Sequence, residues 1–156
     1  MISHTVSIGN LHKAFRAAGA PELEHLVGQH EAQYAGPLWM RASGAPTMTL
    51  TGMPKWYGKR FRAPESDEST LEGVNLLRTR DGLEMSLPMR AELAPSRVDG
   101  LPALIVSYPS DARWPWRGVN DELRPIGEET LLGLTFGLMP GFFGGVPFML
   151  HRRVEA

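Results

Sequence analysis

The chain contains no cysteine, which excludes disulfides, thiolate nucleophiles and thiolate metal sites without fixing a compartment. Net charge is nearly missing as well: 16 Lys and Arg stand against 17 Asp and Glu, leaving −1. Without an overall basic field, no nucleic-acid partner is expected. The first residues, Ser3, His4 and Thr5, stand where a secretory signal would carry positive charge and then an apolar run, so a cytoplasmic location is expected. There is no Gly-x-Ser-x-Gly, phosphate loop or dinucleotide fingerprint. Hydrolases and nucleotide enzymes of the motif-bearing kinds are thereby disfavoured, and no cofactor is expected. No internal repeat is present. The 156 residues suit one domain, 1–156, able to bury roughly two thirds of its unfolded surface.

What the sequence does have is alternation. From Leu83 to Leu93, Leu83, Met85, Leu87, Met89, Ala91 and Leu93 are apolar, and Glu84, Ser86, Pro88, Arg90 and Glu92 are polar or turn-forming. Period two over this length reads as a strand with one buried face, with the six apolar residues pointing inward. A second segment, Leu131 to Leu150, has no charge. Its length would admit a membrane span, yet Pro140, Pro147 and five glycines argue against a continuous helix, so stable membrane insertion is not expected. Two strands, Leu131–Phe136 and Val146–Leu150, joined by a turn that carries Phe142 and Phe143, fit better. Those two rings either fold back onto the core or form a pocket mouth, a dimer contact or a membrane-touching tip.

A short helical lead over 8–28 precedes the strands. Asn10 is a candidate cap for a helix with Leu11, Ala14, Phe15 and Ala18 on one stripe, and Pro21 suits the first turn of a second helix ending near Gly28. Strands are expected at Gln29–Tyr34, Leu38–Ala42, Thr47–Thr51, Trp56–Arg62, Leu71–Thr79, Leu83–Leu93, Ala103–Tyr108, Trp116–Arg124, Leu131–Phe136 and Val146–Arg152. Ser43-Gly44, Asp81-Gly82, Asp99-Gly100 and Ile126-Gly127 supply turns, Asp81-Gly82 being the best tight hairpin. Eight to ten short strands leave exposed edges unless the sheet closes or folds into a sandwich. The expected fold is all-β, a single antiparallel meander barrel over 29–154.

A short helix entering a first strand at a glycine, followed by a meander of hairpins, resembles the calycin-like barrels such as lipocalins and fatty-acid-binding proteins. Where lipocalins place Gly-x-Trp, this chain has Gly28-Gln29-His30, so the tryptophan is missing. The stretch from Asp121 to Gly133 is similar to the closing hairpin of bacterial GXWXG-type proteins of unknown function. The resemblance implies a pocket for an apolar small molecule and supplies no catalytic residue.

Period two then sorts the polar residues. In the first strand Gln29, Glu31 and Gln33 share the wet face, which leaves His30 and Tyr34 pointing inward. Tyr57, Lys59 and Phe61 share a face, and Asp121 alternates with Val119 and Leu123. His30, Tyr34, Tyr57, Lys59 and Asp121 are therefore candidates for one cavity, where burial would shift pKa values in the direction acid–base chemistry uses. The plain alternative is a structural Asp121–Lys59 pair, or a one-residue register slip that turns all of them outward. As a ligand site, Lys59 would face an anionic head group while Met48, Met85, Met89 and aromatic residues hold the apolar body.

Other clusters carry less. His25, His30 and Glu31 straddle a helix–strand boundary, and no metal is expected. Arg113-Trp114-Pro115-Trp116-Arg117 either grips a ligand at the rim through Trp116 or packs a corner. Ser96 to Gly100 reads as a turn with a local Arg97–Asp99 pair.

Three functions follow. The leading one is binding of a hydrophobic small molecule with an acidic or carbonyl head, held by Tyr57, Lys59, Met48, Met85, Met89, Trp116, Phe142 and Phe143. The second is a cofactor-free isomerase, cyclase or lyase in which Asp121 or His30 moves a proton and Tyr34, Tyr57 or Lys59 stabilises oxyanion charge. The third is a homodimeric module that associates through Phe142 and Phe143.

Overall fold

The computed structural model describes residues 2–63, 69–138 and 144–153. Eight antiparallel strands form a closed barrel in sequence order: β1 (Gly28–Tyr34), β2 (Trp56–Arg62), β3 (Thr70–Thr79), β4 (Gly82–Pro95), β5 (Pro102–Ser107), β6 (Asn120–Pro125), β7 (Thr130–Phe136) and β8 (Val146–Arg153). Strand β1 pairs with both β2 and β8, so the sheet has no free edge. Helices α1 (Ile8–Ala17) and α2 (Leu23–Leu26) lead in, and α3 (Leu38–Leu50) separates β1 from β2. None of the described helices is long and apolar enough to cross a membrane.

The first helix begins at Ile8, ahead of the cap expected at Asn10. Ser7, not Asn10, caps α1, its Oγ accepting from the Asn10 amide at 3.2 Å. Leu11 and Phe15 are buried as the stripe requires, in a cluster with Leu132, Leu134 and Met149 on the barrel's outer wall. Arg124 rivets this helix in place. It is fully buried, stacks 4.5 Å over the Phe15 ring, and donates to the Phe15 carbonyl and to both oxygens of Asp99 at 2.8 and 2.7 Å. Asp99 thus pairs with Arg124 rather than Arg97, whose guanidinium lies 3.5 Å from Glu122. The Arg124 hydrogen bonds hold the Asp99 carboxyl down at about 2.

Two expected strands, Leu38–Ala42 and Thr47–Thr51, are instead one helix, α3, with Ser43-Gly44 inside it. Their β-like composition is overridden by packing. Met40, Ser43, Gly44, Thr47 and Met48, spaced by three and four, lie along one face turned to the barrel mouth. Gly44 permits the approach, because a Cβ there would stand 2.4 Å from the Tyr34 ring. Likewise, the first residues of the expected Trp116 strand form a 3-10 turn, Trp116–Gly118, before β6 begins.

The long alternating strand is real but does not keep one face. The β3–β4 register slips between Val74 and Asn75, which pair with Pro88 and Ser86, so Leu87 is the extra residue of a bulge and takes a φ of +48°. Beyond it, Met89 and Ala91 lie opposite Gly73 and Leu71 and are buried. Before it the phase is reversed: Glu84 and Ser86 lie opposite Leu77 and Asn75, and Met85 turns outward, 65% exposed. Leu83 and Leu93 are also exposed. The inward set expected from period two therefore shrinks to Met89 and Ala91, with Leu87 half-buried against the inner core. That core also holds Phe61, Leu104, Val106, Leu123 and Phe148, the last filling the space left by Gly133 across the β7–β8 pair.

Candidate functional site

A second bulge decides what enters the barrel mouth. The β2–β3 register slips between Trp56 and Gly58, which brings Trp56 onto the inner face with Lys59 and Phe61 and expels Tyr57. Tyr57 stacks instead against Arg78 at 5.0 Å. Neither Tyr57 nor Met85 lines the pocket that α3 covers.

That pocket occupies the end of the barrel where β1 finishes and β2 and β8 begin. Met40, Ser43, Gly44, Thr47 and Met48 form its roof. Tyr34, Trp56, Trp116 and Phe148 form its walls. The rings brace one another: Tyr34 with Trp56 at 6.1 Å, Trp56 with Phe148 at 5.8 Å. Trp116 packs against Tyr108 at 5.5 Å and donates its indole N–H to the Thr51 carbonyl at 2.8 Å. The corner Arg113–Arg117 is thus partly structural, as Arg113 also donates to the Gly52 carbonyl.

The floor is a buried ion pair. Lys59 Nζ lies 3.1 Å from Asp121 Oδ2, their side chains 1% and 4% exposed. Exposure this low makes each charge expensive unless it is compensated, and the compensation is complete. The ammonium donates to Asn75 Oδ1 at 3.0 Å and to Tyr108 Oη at 2.9 Å, with Asp121 as its third polar partner. Met89 Sδ is 3.6 Å away, and the Trp56 and Tyr108 rings lie 5.6 and 5.5 Å from the charge. Asp121 accepts from Tyr108 at 3.3 Å and Thr135 at 2.8 Å. Asn75 is fixed in turn by the Trp56 indole N–H at 3.1 Å and by its own donation to the Leu87 carbonyl at the bulge.

This arrangement sets the proton positions. Burial opposes the Lys59 ammonium, but the charge of Asp121 and the Tyr108 hydrogen bond outweigh it and carry its pKa above the usual lysine value. Tyr108 is pushed up to about 12, by burial first and then by Asp121; Tyr34 reaches about 12 by burial alone. All three keep their protons at neutral pH.

His30 is buried and faces inward opposite Lys59, but its ring serves the other end of the barrel. Nε2 lies 2.9 Å from the Leu26 carbonyl and must donate there, and the ring meets Phe61 edge-on at 5.9 Å. Burial lowers its pKa below the ordinary histidine value. His30 thus borders the cleft beneath α2, beside Leu26 and Thr130, and not the pocket with Asp121. In sum, Lys59, Asp121, Tyr34, Met48 and Trp116 meet at one pocket, Met89 supports its floor, and Phe142 and Phe143 lie outside the described residues.

Period two missed Asn75, Tyr108 and Thr135, though it contains them. Asn75 alternates with Leu71, Gly73 and Leu77; Tyr108 with Leu104 and Val106; Thr135 with Leu131 and Gly133. Trp56 was hidden by the bulge, which periodicity does not reveal.

No family model matches the chain, and no curated protein matches it. Among solved structures, the crystal structure of a protein from Thermomonospora curvata is similar, with a TM-score of 0.65 at 18% identity, covering 96% of this chain and 90% of that one. At that identity the likeness supports the barrel fold alone.

Proposed function

We propose that the protein binds a small hydrophobic molecule in the α3-covered pocket, in the manner the calycin-like resemblance implies. The observation that carries this reading is the pairing of an aromatic and methionine-lined mouth with a polar floor that is already satisfied. Such a concave apolar site with a few fixed polar groups is the usual form of a small-molecule pocket. The acid–base reading has less support, since Lys59, Tyr34 and Tyr108 all hold their protons near neutral pH and His30 lies outside the pocket. Native mass spectrometry of the full chain purified from its own host should show a co-purifying apolar compound. Its displacement should change the fluorescence of Trp56 and Trp116. A chain that carries nothing, and whose fluorescence no apolar compound in a broad panel alters, refutes the reading.

A further inference from the structure

The hydrogen-bonding inventory of the floor narrows the ligand class. An ammonium has three N–H donors, and Lys59 meets three oxygen acceptors within 3.1 Å, on Asn75, Tyr108 and Asp121. The Trp56 indole N–H is given to Asn75, the Tyr108 hydroxyl proton to Asp121, and the Thr135 hydroxyl proton to Asp121. At the roof, the Ser43 hydroxyl donates to the Met40 carbonyl. Every strong donor on the floor is therefore committed.

The unused capacity of the floor is of the opposite kind, while the donors left at the wall and roof among the described residues, the Tyr34 and Thr47 hydroxyls, are neutral. Each Asp121 oxygen can accept about two hydrogen bonds, and Oδ1 receives only Thr135 among the described residues. The Thr135 oxygen, having given its proton away, keeps its lone pairs. Both residues line the pocket. Lys59 and Asp121 also cancel in charge, so an arriving carboxylate would meet no free cation to offset its loss of water and would approach the Asp121 oxygens. A neutral hydroxyl has a proton to give and a small desolvation cost.

Resting on the binding function proposed above, we infer that the pocket selects a neutral apolar molecule whose polar end is a hydroxyl, donated to Asp121 Oδ1 or Thr135 Oγ1, and discriminates against the matching carboxylate.

The test uses the full chain and three probes of one shape: benzyl alcohol, benzoate and toluene, titrated by tryptophan fluorescence at pH 7. Amide chemical shifts of Gly44 and Thr135 place the site. The expected result is binding of benzyl alcohol at least tenfold tighter than benzoate and several-fold tighter than toluene. In Asp121→Asn, whose amide offers a donor of its own, the alcohol-to-carboxylate ratio should fall below threefold; should that variant not fold, the ratios in the unaltered protein decide. Benzoate binding as tightly as the alcohol overturns the inference while the binding function stands, as does toluene matching the alcohol. Failure of all three to bind overturns the inference, while the co-purification and broad-panel result decides the binding function separately.

Discussion

Breaking the Lys59–Asp121 pair from one side should be far more damaging than removing it altogether. With Lys59→Met, Asp121 keeps its donors Tyr108 and Thr135 but loses its countercharge. The cost has a ceiling, because the protein can instead protonate the stranded carboxyl; neutralising an ordinary aspartate at pH 7 takes about 4 kcal/mol. With Asp121→Leu, Lys59 keeps Asn75 and Tyr108 as acceptors, and deprotonating an ordinary lysine sets a similar ceiling of about 4.6 kcal/mol. Each single change should therefore cost about 3–4 kcal/mol, in line with other buried pairs deprived of one partner. The double variant leaves no uncompensated charge and should fall within about 2 kcal/mol of the parent, a coupling of at least about 4 kcal/mol. Urea unfolding followed by tryptophan fluorescence reads all four proteins, since Trp56 lies within 6 Å of the pair. Single-variant losses that simply add, with a coupling below about 0.5 kcal/mol, would show that water reaches the pair and refute the closed floor.

Other expectations follow from the same geometry. Met85→Gln should change stability by less than about 0.5 kcal/mol, whereas Met89→Ala should cost about 2–4 kcal/mol; equal effects in urea unfolding would contradict the bulge at Leu87. Gly44→Ala should destabilise by about 1 kcal/mol or more despite alanine's better helix propensity, because its methyl meets the Tyr34 ring; a melting temperature above the parent's would mean α3 stands farther off. Burial keeps the folded His30 pKa below its unfolded value, so stability is full above about pH 6.5 and is lost as pH falls from there toward the folded value. His30→Gln should flatten that slope, leaving the part owed to His151, and an unchanged slope would place the acid sensitivity elsewhere. Arg124→Met should cost about 3–5 kcal/mol and release α1, seen as faster amide exchange at Leu11 and Phe15; exchange at the parental rate would count against the rivet.

Eight of the ten expected strands, their antiparallel order and the inward placement of Lys59 and Asp121 could be read from the sequence because burial on one face imposes a period of two. The errors have three physical sources. Bulges at Tyr57 and Leu87 insert a residue that keeps its place in the alternation but changes its face, so Tyr57 and Met85 left the site and Trp56 entered it. The helix α3 carries Thr, Gly and Pro in its interior, and its barrel-facing stripe mixes Met40 and Met48 with Ser43, Gly44 and Thr47, so hydrophobic periodicity passed over it. Long-range partners such as Asp99 with Arg124 depend on where α1 docks, and no local pattern encodes that.

Closure of the barrel also has a consequence in time. Seven of the eight strand junctions join neighbours in the chain, but β1 and β8 meet across a separation of 118 residues at Gln33 and His151. Contacts this distant are reached late, because the entropy of gathering the intervening chain falls once the local hairpins have shortened it. Tyr34 and Phe148, paired across that last seam, are also two walls of the pocket. The pocket therefore does not exist in any intermediate that has formed the meander but not the ring, and under the proposed function the appearance of ligand-binding capacity during refolding would clock the closing of the seam. Pulse-labelled amide exchange should show β3 and β4 protected first and β1 and β8 protected as binding appears; protection of β1–β8 ahead of the β3–β4 hairpin would reverse that order.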